Sequence, residues 1–419
     1  MTGVEMSIDD ELVEKLVRKE LKFYKVEGYV EWDVDRAASI RRKALEKLTG
    51  AKLEHIGSYS IDLDLTKGRN IEVAIGCAQI PMAVAGPLKV KGDYADGEYF
   101  IPLCTTEGAL VASVNRGCSA ITASGGARSK IIRDHMTRAP LFVVPSVEKA
   151  VELVEWVREH IEEIRKEFES VSPYLKLLDI RPWIVGRNVW LRFEAYTYDA
   201  MGMNMVTIGC DRACKLIEKN TGYAKLVSLS GNLCVDKKPN AVNWLLGRGK
   251  TVVSEAVVKR KIVEEKLKTT PEAIVEVNVR KNLLGSGLAS AYGLNAHIAN
   301  IVAAIFIATG QDVAQVVESS MGITMAEVTP EGDLYISVTL PSLEVATVGG
   351  GTGLPTQREA LAIMGCAGPG DPPGTNCKKF AEIVAAACLA GELSLLAALA
   401  AGHLAEAHER LGWGKALKK

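Results

Sequence analysis

Residues 383–402 read IVAAACLAGELSLLAALAAG, a run of twenty residues with one charge, Glu392. In helical form such a run reaches about 30 Å, the thickness of a bilayer core. It therefore either crosses a membrane or lies inside the chain's own core. A carboxylate at mid-span is costly in lipid, and the run is rich in alanine. A helix apolar around its whole circumference is the mark of a buried central helix, and the rest of the fold must wrap around it.

The chain has enough residues to do that. Its 419 residues predict two or three domains, each with its own core. Aromatic residues are only 6%, so the core must be mostly aliphatic, and 38 glycines imply many close backbone approaches. The 50 basic and 51 acidic residues nearly cancel, which argues against a nucleic-acid or polybasic membrane partner. Nine cysteines, an odd number, form no C-x-x-C pair. With the acidic, polar start MTGVEMSIDDELVEK, which is unlike a signal peptide, they predict a reducing cytoplasmic setting.

The expected fold class is α+β. Residues 1–52 read as a small helical N-terminal domain: Ser7 and Asp10 form a capping-box variant. Ala37, Ile40, Ala44, Leu45 and Leu48 then keep helical spacing up to Gly50. Residues 140–229 alternate as strand (LFVVP), helix from Ser146 through Phe168, two strands (IRPWIVG, NVWLRFEAYT), helix (MVTIGCDRACKLIEKN) and strand (AKLVSLS). That order is the split βαβ, ferredoxin-like arrangement, here an insertion. It interrupts a large domain made of 53–139 and 241–410, which holds the central helix. Residues 230–240 form a loop between them, and 411–419 a flexible tail.

Familiar ligand motifs fail. Gly285-x-Gly287 follows AIVEVNV, which reads as a strand, but the sixth position is Ser290 and no second strand with an acid follows. That excludes a Rossmann site. GGGTG at 349–353 lacks a P-loop lysine. His403 and His408 lie five apart, about 140° around a helix, so they do not converge on a metal. No metal is expected.

What remains are isolated charges in apolar or glycine-rich company: Glu107 in CTTEGALVAS, Lys237 in VDKKP, Asp312 in ATGQDVAQ and His408 in LAEAHERLGW. Each also fits a plain structural role. Glu107 and Asp312 suit helix starts, where acids are mildly stabilising. His408 suits an exposed last turn, and Asp236-Lys237-Lys238 a solvated turn.

Taken together, IPMAVAGPL, TTEGALVASVNRGCSAI, DAMGMNM, DKKPNAVNW, GQDVAQ, TVGGGT and GELSLLAALAAGHL resemble hydroxymethylglutaryl-CoA reductases. They occur in that family's order from residue 53 to 410. The Lys in DKKP and the His five beyond GH resemble the class found in eukaryotes and archaea, class I. The resemblance implies reduction of (S)-3-hydroxy-3-methylglutaryl-CoA to (R)-mevalonate and CoA with two NADPH, the first committed step of isoprenoid synthesis. It also implies a homodimer or larger homo-oligomer with a shared active site. The inserted domain would be a non-Rossmann dinucleotide-binding domain, and the large domain would bind the substrate.

The site residues follow from motif position. Lys237 would stabilise the oxyanion, His408 would protonate the departing thiolate, and Glu107 would supply the second proton. Asp312 would tune them through a Glu–Lys–Asp network. Arg138, Ser230, Asp236, Lys238, Lys281, Asn300 and Leu395 resemble the residues that hold the hydroxymethylglutaryl group. Ser113, Asn115, Arg116 and Lys268 resemble the CoA contacts. Asp199, Met201, Gly202, Met203 and Asn204, with Val348 and Gly349, resemble the cofactor contacts.

Three departures stand out. The Ser-Arg pair that grips the cofactor's 2′-phosphate in the family is Ser172-Pro173 here, which leaves NADH use open. The regulatory serine of animal members is replaced by Gly412, Trp413 and Gly414. The family's membrane anchor is not seen, which implies a cytoplasmic, archaeal-type enzyme.

Overall fold

A computed structural model describes residues 7–402. Its longest helix, Thr375–Ala400, is the apolar run met first in the sequence. Every residue from Phe380 to Ser394 is buried. Among the described residues it is the one helix long and apolar enough to cross a membrane, and it lies within the chain's own core.

Burying a helix on all sides leaves its polar groups to find partners inside. Glu392 accepts hydrogen bonds from the Ala296 and His297 amides and the Thr324 hydroxyl, each at 2.7 Å. Glu382, nearly three turns earlier and just outside the apolar run, accepts from the amides of Asp93, Tyr94 and Ala95 at 3.1, 2.9 and 2.7 Å. Burial pushes the Glu382 carboxyl above its ordinary range, and the three amides only partly offset it. At the helix start, Asp199 accepts from the amides of Gly370, Gly374 and Cys377 at 3.0, 2.6 and 3.0 Å. The carboxylates of this helix thus pin the segments that wrap it.

Around the helix runs a ten-stranded sheet. The strands are β1 (Met82–Lys91), β2 (Asp96–Cys104), β3 (Ala127–Arg138), β4 (Leu141–Val143) and β5 (Lys176–Val185). Then follow β6 (Asn188–Tyr196), β7 (Lys225–Ser228), β8 (Gly249–Val258), β9 (Ile323–Val328) and β10 (Leu334–Leu343). The main path is β7-β4-β6-β3-β8-β10-β9, with β5 beside β6 and β1 linking β2 to β3. All pairings are antiparallel except β1 with β3. The result is an α+β fold.

Strand β3 joins the two halves of the sheet. Its first part pairs with β8, and its last three residues, Met136–Arg138, pair with β6. Beyond it, β7-β4-β6-β5 and the helices Val147–Glu159, Ile161–Glu169 and Met203–Thr221 enclose a separate apolar core that includes Phe142, Phe168, Phe193 and Ile217. The single helix expected from Ser146 through Phe168 is broken at His160. There the imidazole stacks on Trp156 with centroids 4.3 Å apart, and its Nδ1 lies 2.9 Å from the Trp156 carbonyl.

Residues 7–81 form a compact unit of their own, longer than the 1–52 expected from the helices alone. Helices Ile8–Val17 and Val34–Thr49 begin with Ser7 and Asp33 caps, and Gly50 ends the second in a left-handed conformation. The buried Arg41 explains the extension: its guanidinium donates to the carbonyls of Phe23 (2.9 Å) and Ala74 (3.1 Å), so the segment past residue 52 packs back.

AIVEVNV is not the strand expected. Its body is the helix Pro271–Val277, continued as a π-helix over Asn278–Gly285. Thr270 accepts from the Ala273 amide at 3.3 Å and Pro271 opens the first turn, a start signal that outweighs the β-propensity of the valines.

The crossing of helix Leu110–Ala123 over the central helix depends on Gly117, where a Cβ would stand 1.9 Å from the Ala390 carbonyl oxygen. Gly117→Ala should therefore cost about 1–3 kcal/mol in chemical denaturation. Gly287→Ala, with open space around it, should change stability by less than about 1 kcal/mol.

Candidate active site

Ser230 to Asn240 forms no strand. It is a chain of turns in which Asn232, Val235 and Lys237 have φ of 63°, 50° and 58°. Left-handed conformations cost a non-glycine residue about 1 kcal/mol or more, so the surroundings must enforce them. Asn243 donates to the Val235 carbonyl at 3.0 Å, and Trp190 donates to that of Gly231 at 2.8 Å. Gln315 donates to the Asp236 carboxylate at 2.9 Å, and the Lys237 amide donates to Glu318.

The loop presents the Lys237 ammonium 2.9 Å from Asp312. That hydrogen bond, stronger than the opposing burial, holds the ammonium above the ordinary lysine range. Lys237 thus stays cationic at any physiological pH. Asp312 also accepts from the Ala314 amide at 3.1 Å, so the helix-start role read from the sequence holds together with the ion pair.

Neighbouring Asp236 faces inward. Burial pushes its carboxyl up, but Arg248, Gln315 and Arg138 outweigh it and hold the group below the ordinary aspartate range. Arg248 is fully buried, 3.0 Å from Asp236, 3.2 Å from Glu318 and in contact with Glu344. These three carboxylates gather in the manner of metal ligands, but the guanidinium lies among them. Arg138 donates to Ser230 at 3.2 Å and to Thr207 at 2.9 and 3.1 Å, and stands 4.0 Å from Asp236. Lys238 is exposed, donating to the Asp236 carbonyl at 3.1 Å.

Glu107 is elsewhere. It is exposed and accepts from Asn300 at 3.1 Å. Asn300 opens the helix Ile298–Thr309, and Asp312 lies just past its other end. With a 1.5 Å rise, Asn300 and Thr309 are about 14 Å apart. The Glu–Lys–Asp network expected from the motifs therefore does not form within one copy: Lys237 and Asp312 meet, and Glu107 stays at the far end of the helix.

Ser113 and Arg116 both bind Ser394 of the central helix, next to Leu395, at 3.0 Å, and Arg116 also reaches the Ser394 carbonyl at 2.6 Å. Asn115 accepts from the Gly86 amide at 2.9 Å. Lys281 lies in the π-helix and donates to Asn282 at 3.1 Å. Lys268 is exposed at a left-handed turn.

The DAMGMNM segment meets the glycine loop. The Asp199 carbonyl accepts from the amides of Thr347 (2.9 Å) and Val348 (3.2 Å), and Ala200 bridges Val348. Gly202, at φ 84°, begins the Met203–Thr221 helix without a side-chain cap, so the amides of its first turn remain available. A Cβ there would lie 2.4 Å from Thr197, which is the structural reason for glycine. Met201 and Met203 pack on the inserted core, Asn204 is exposed, and Val348 and Gly349 are exposed beside them. The Asp199 carboxylate, expected at the cofactor, accepts the three amides at the start of the central helix. His408 and the 411–419 tail lie outside the described residues.

A fixed cation on a carboxylate and a glycine-led helix start with free amides are groups able to meet a developing oxyanion and an anionic ligand. The comparisons narrow this chemistry. A family profile described as Hydroxymethylglutaryl-coenzyme A reductase matches residues 37–413. The 3-hydroxy-3-methylglutaryl-coenzyme A reductase of Pyrococcus horikoshii is 62% identical over 98% of this chain and 100% of its own length. That of Methanothermobacter thermautotrophicus is 54% identical over 98% and 100%. The chain belongs to the hydroxymethylglutaryl-coenzyme A reductase family. Among solved structures, the class II enzyme of Streptococcus pneumoniae bound to NADPH aligns with a TM-score of 0.65 at 18% identity, covering 94% of this chain and 98% of that one, a likeness of fold.

Sequence reasoning missed Arg248, Glu318 and Glu344. No local spacing marks three residues that meet only through the fold.

Burial pushes the Glu344 carboxyl well above its ordinary range, with Arg248 pulling the other way and Glu318 adding to the rise. A carboxyl raised in the folded state binds more protons folded than unfolded. Its stabilising contribution is complete below the unfolded value of about 4.3 and is lost as pH rises through the folded value. Relative to Glu344→Gln, the wild-type unfolding free energy should therefore fall as pH rises from about 4.3, and stay parallel below it.

Proposed function

We propose that this chain reduces (S)-3-hydroxy-3-methylglutaryl-CoA to (R)-mevalonate and CoA, consuming two NADPH, in a cytoplasmic homodimer or larger assembly of this chain. The observation that carries the reading is the Lys237 ammonium, held on Asp312 by a strained loop within the matching motif. Bound NADPH supplies a hydride to each of two successive carbonyl carbons. Lys237 holds the negative charge that then develops on the thioester oxygen, in a position fixed before reaction. As the hemithioacetal collapses, its C–S bond breaks and the CoA thiolate takes a proton from His408. Glu107 gives a proton to the alkoxide formed from the aldehyde.

Residues 140–229 serve as the dinucleotide domain in this reading. The free amides at the start of Met203–Thr221, beside Val348 and Gly349, suit a pyrophosphate. The large domain built on the central helix holds the acyl-CoA, with Arg138, Ser230, Asp236, Lys238, Lys281, Asn300 and Leu395 around the acyl group. Ser113, Asn115, Arg116 and Lys268 serve the CoA end. Ser172-Pro173 bears on the choice of cofactor: Pro173 is exposed and has no cation to offer a 2′-phosphate. A comparison of NADH and NADPH kinetics measures how much preference survives.

The separation of Glu107 from Lys237 supports a site completed by a second copy. Lys237→Ala should lower turnover about 10²–10³-fold in both reductions, whereas His408→Gln should spare the reduction of free mevaldehyde. Mixing Glu107→Gln with Lys237→Ala chains under subunit exchange should restore about a quarter of wild-type activity, because mixed dimers hold one intact site. No recovery despite confirmed exchange would place both residues in one subunit's site.

A further inference from the structure

The loop that carries Lys237 rests on three buried charged residues that no part of the chemistry above uses, Arg248, Glu318 and Glu344. Arg248 immediately precedes β8, fully buried, and its guanidinium touches four parts of the chain at once. It lies 3.0 Å from Asp236 in the loop, 3.2 Å from Glu318 and against Glu344, and it reaches the Met203 sulfur at 2.9 Å. Met203 opens the helix that begins at DAMG. One Glu318 oxygen, Oε1, accepts both from Arg248 and from the backbone amide of Lys237. Glu318 and Glu344 are both fully buried, and each keeps one oxygen without a partner.

We propose that Arg248 and Glu318 are positioning residues for the reduction. Arg248 fixes Asp236 and the start of the cofactor helix against each other, and Glu318 locks the Lys237 backbone in its left-handed turn. The inference rests on the proposed reductase reading. The physical case is one of alternatives. Lys237 is not glycine, and its left-handed φ of 58° survives only if its amide has a fixed acceptor. Glu318 supplies that acceptor from a fully buried site, and its own oxygen is immobilised by Arg248. Released, the loop would relax toward ordinary backbone angles and carry the ammonium off the position where charge develops.

A neutral amide at 318 keeps the acceptor oxygen, whereas alanine removes it. The full chain is assayed with hydroxymethylglutaryl-CoA and NADPH, with turnover counted per folded molecule and melting temperature measured alongside. Glu318→Ala should lower kcat about 10²-fold with KM for the thioester within about threefold, the scale of a misplacement near 1 Å. Glu318→Gln should recover kcat to within about tenfold of wild type. A merely structural role would lower the melting temperature of Glu318→Ala and leave kcat per folded molecule unmoved, and that result overturns the proposal. So does a folded Glu318→Gln as impaired as Glu318→Ala. Should Glu318→Ala fail to fold, Arg248→Lys decides. It keeps a buried cation but loses the fork that spans Asp236 and Glu318, so kcat should fall at least about tenfold, and unchanged kcat overturns the proposal. A wild-type chain that forms no mevalonate would sink the reductase reading itself, a result separable from all of these.

Discussion

The guanidinium of Arg248 is the interaction on which the site depends. Taking one charge out of water costs several kcal/mol, and only close partners offset it. Here the partners are Asp236, Glu318 and Glu344, drawn from the loop, the segment after Asp312 and the end of β10. One cation among three acids leaves an excess of negative charge, and burial answers it by pushing the Glu318 and Glu344 carboxyls up, toward their neutral forms. Asp236 goes the other way, kept ionised by the surrounding cations. The cluster therefore sorts equivalent side chains into different roles by environment alone.

A second constraint, the buried helix Thr375–Ala400, sets where everything else can lie. Its carboxylates accept backbone amides from the β1–β2 turn and from the start of Ile298–Thr309. Ser394 holds Ser113 and Arg116, and the helix start is capped by Asp199 from the inserted half. Glu107 and Asp312 consequently sit at opposite ends of Ile298–Thr309, and that spacing argues for a site assembled from two copies.

Much of this was legible in the residues themselves. The single charge in twenty apolar positions marked the central helix, because an apolar run of that length does not fit a water-exposed surface. The strand and helix alternation between Leu141 and Ser228 could be read from period and caps. Other features needed the fold. AIVEVNV carries valines that favour strands, and only Thr270 with Pro271 tells of the helix. Asp199 sits in a motif that points to a cofactor, yet its carboxylate is spent on a helix start that lies some 175 residues away. Arg248, Glu318 and Glu344 have no local signature, since what distinguishes them is mutual burial.

The central claim is that Lys237 meets the charge that develops on the thioester oxygen, with Glu107 arriving from a second copy. The most direct measurement is a structure of the full chain with hydroxymethylglutaryl-CoA bound. The account predicts the Lys237 ammonium at about 3 Å from the thioester carbonyl oxygen, with the Glu107 carboxyl of a neighbouring copy on the same acyl group. A carbonyl held by other groups, with Lys237 still paired only to Asp312, would contradict it.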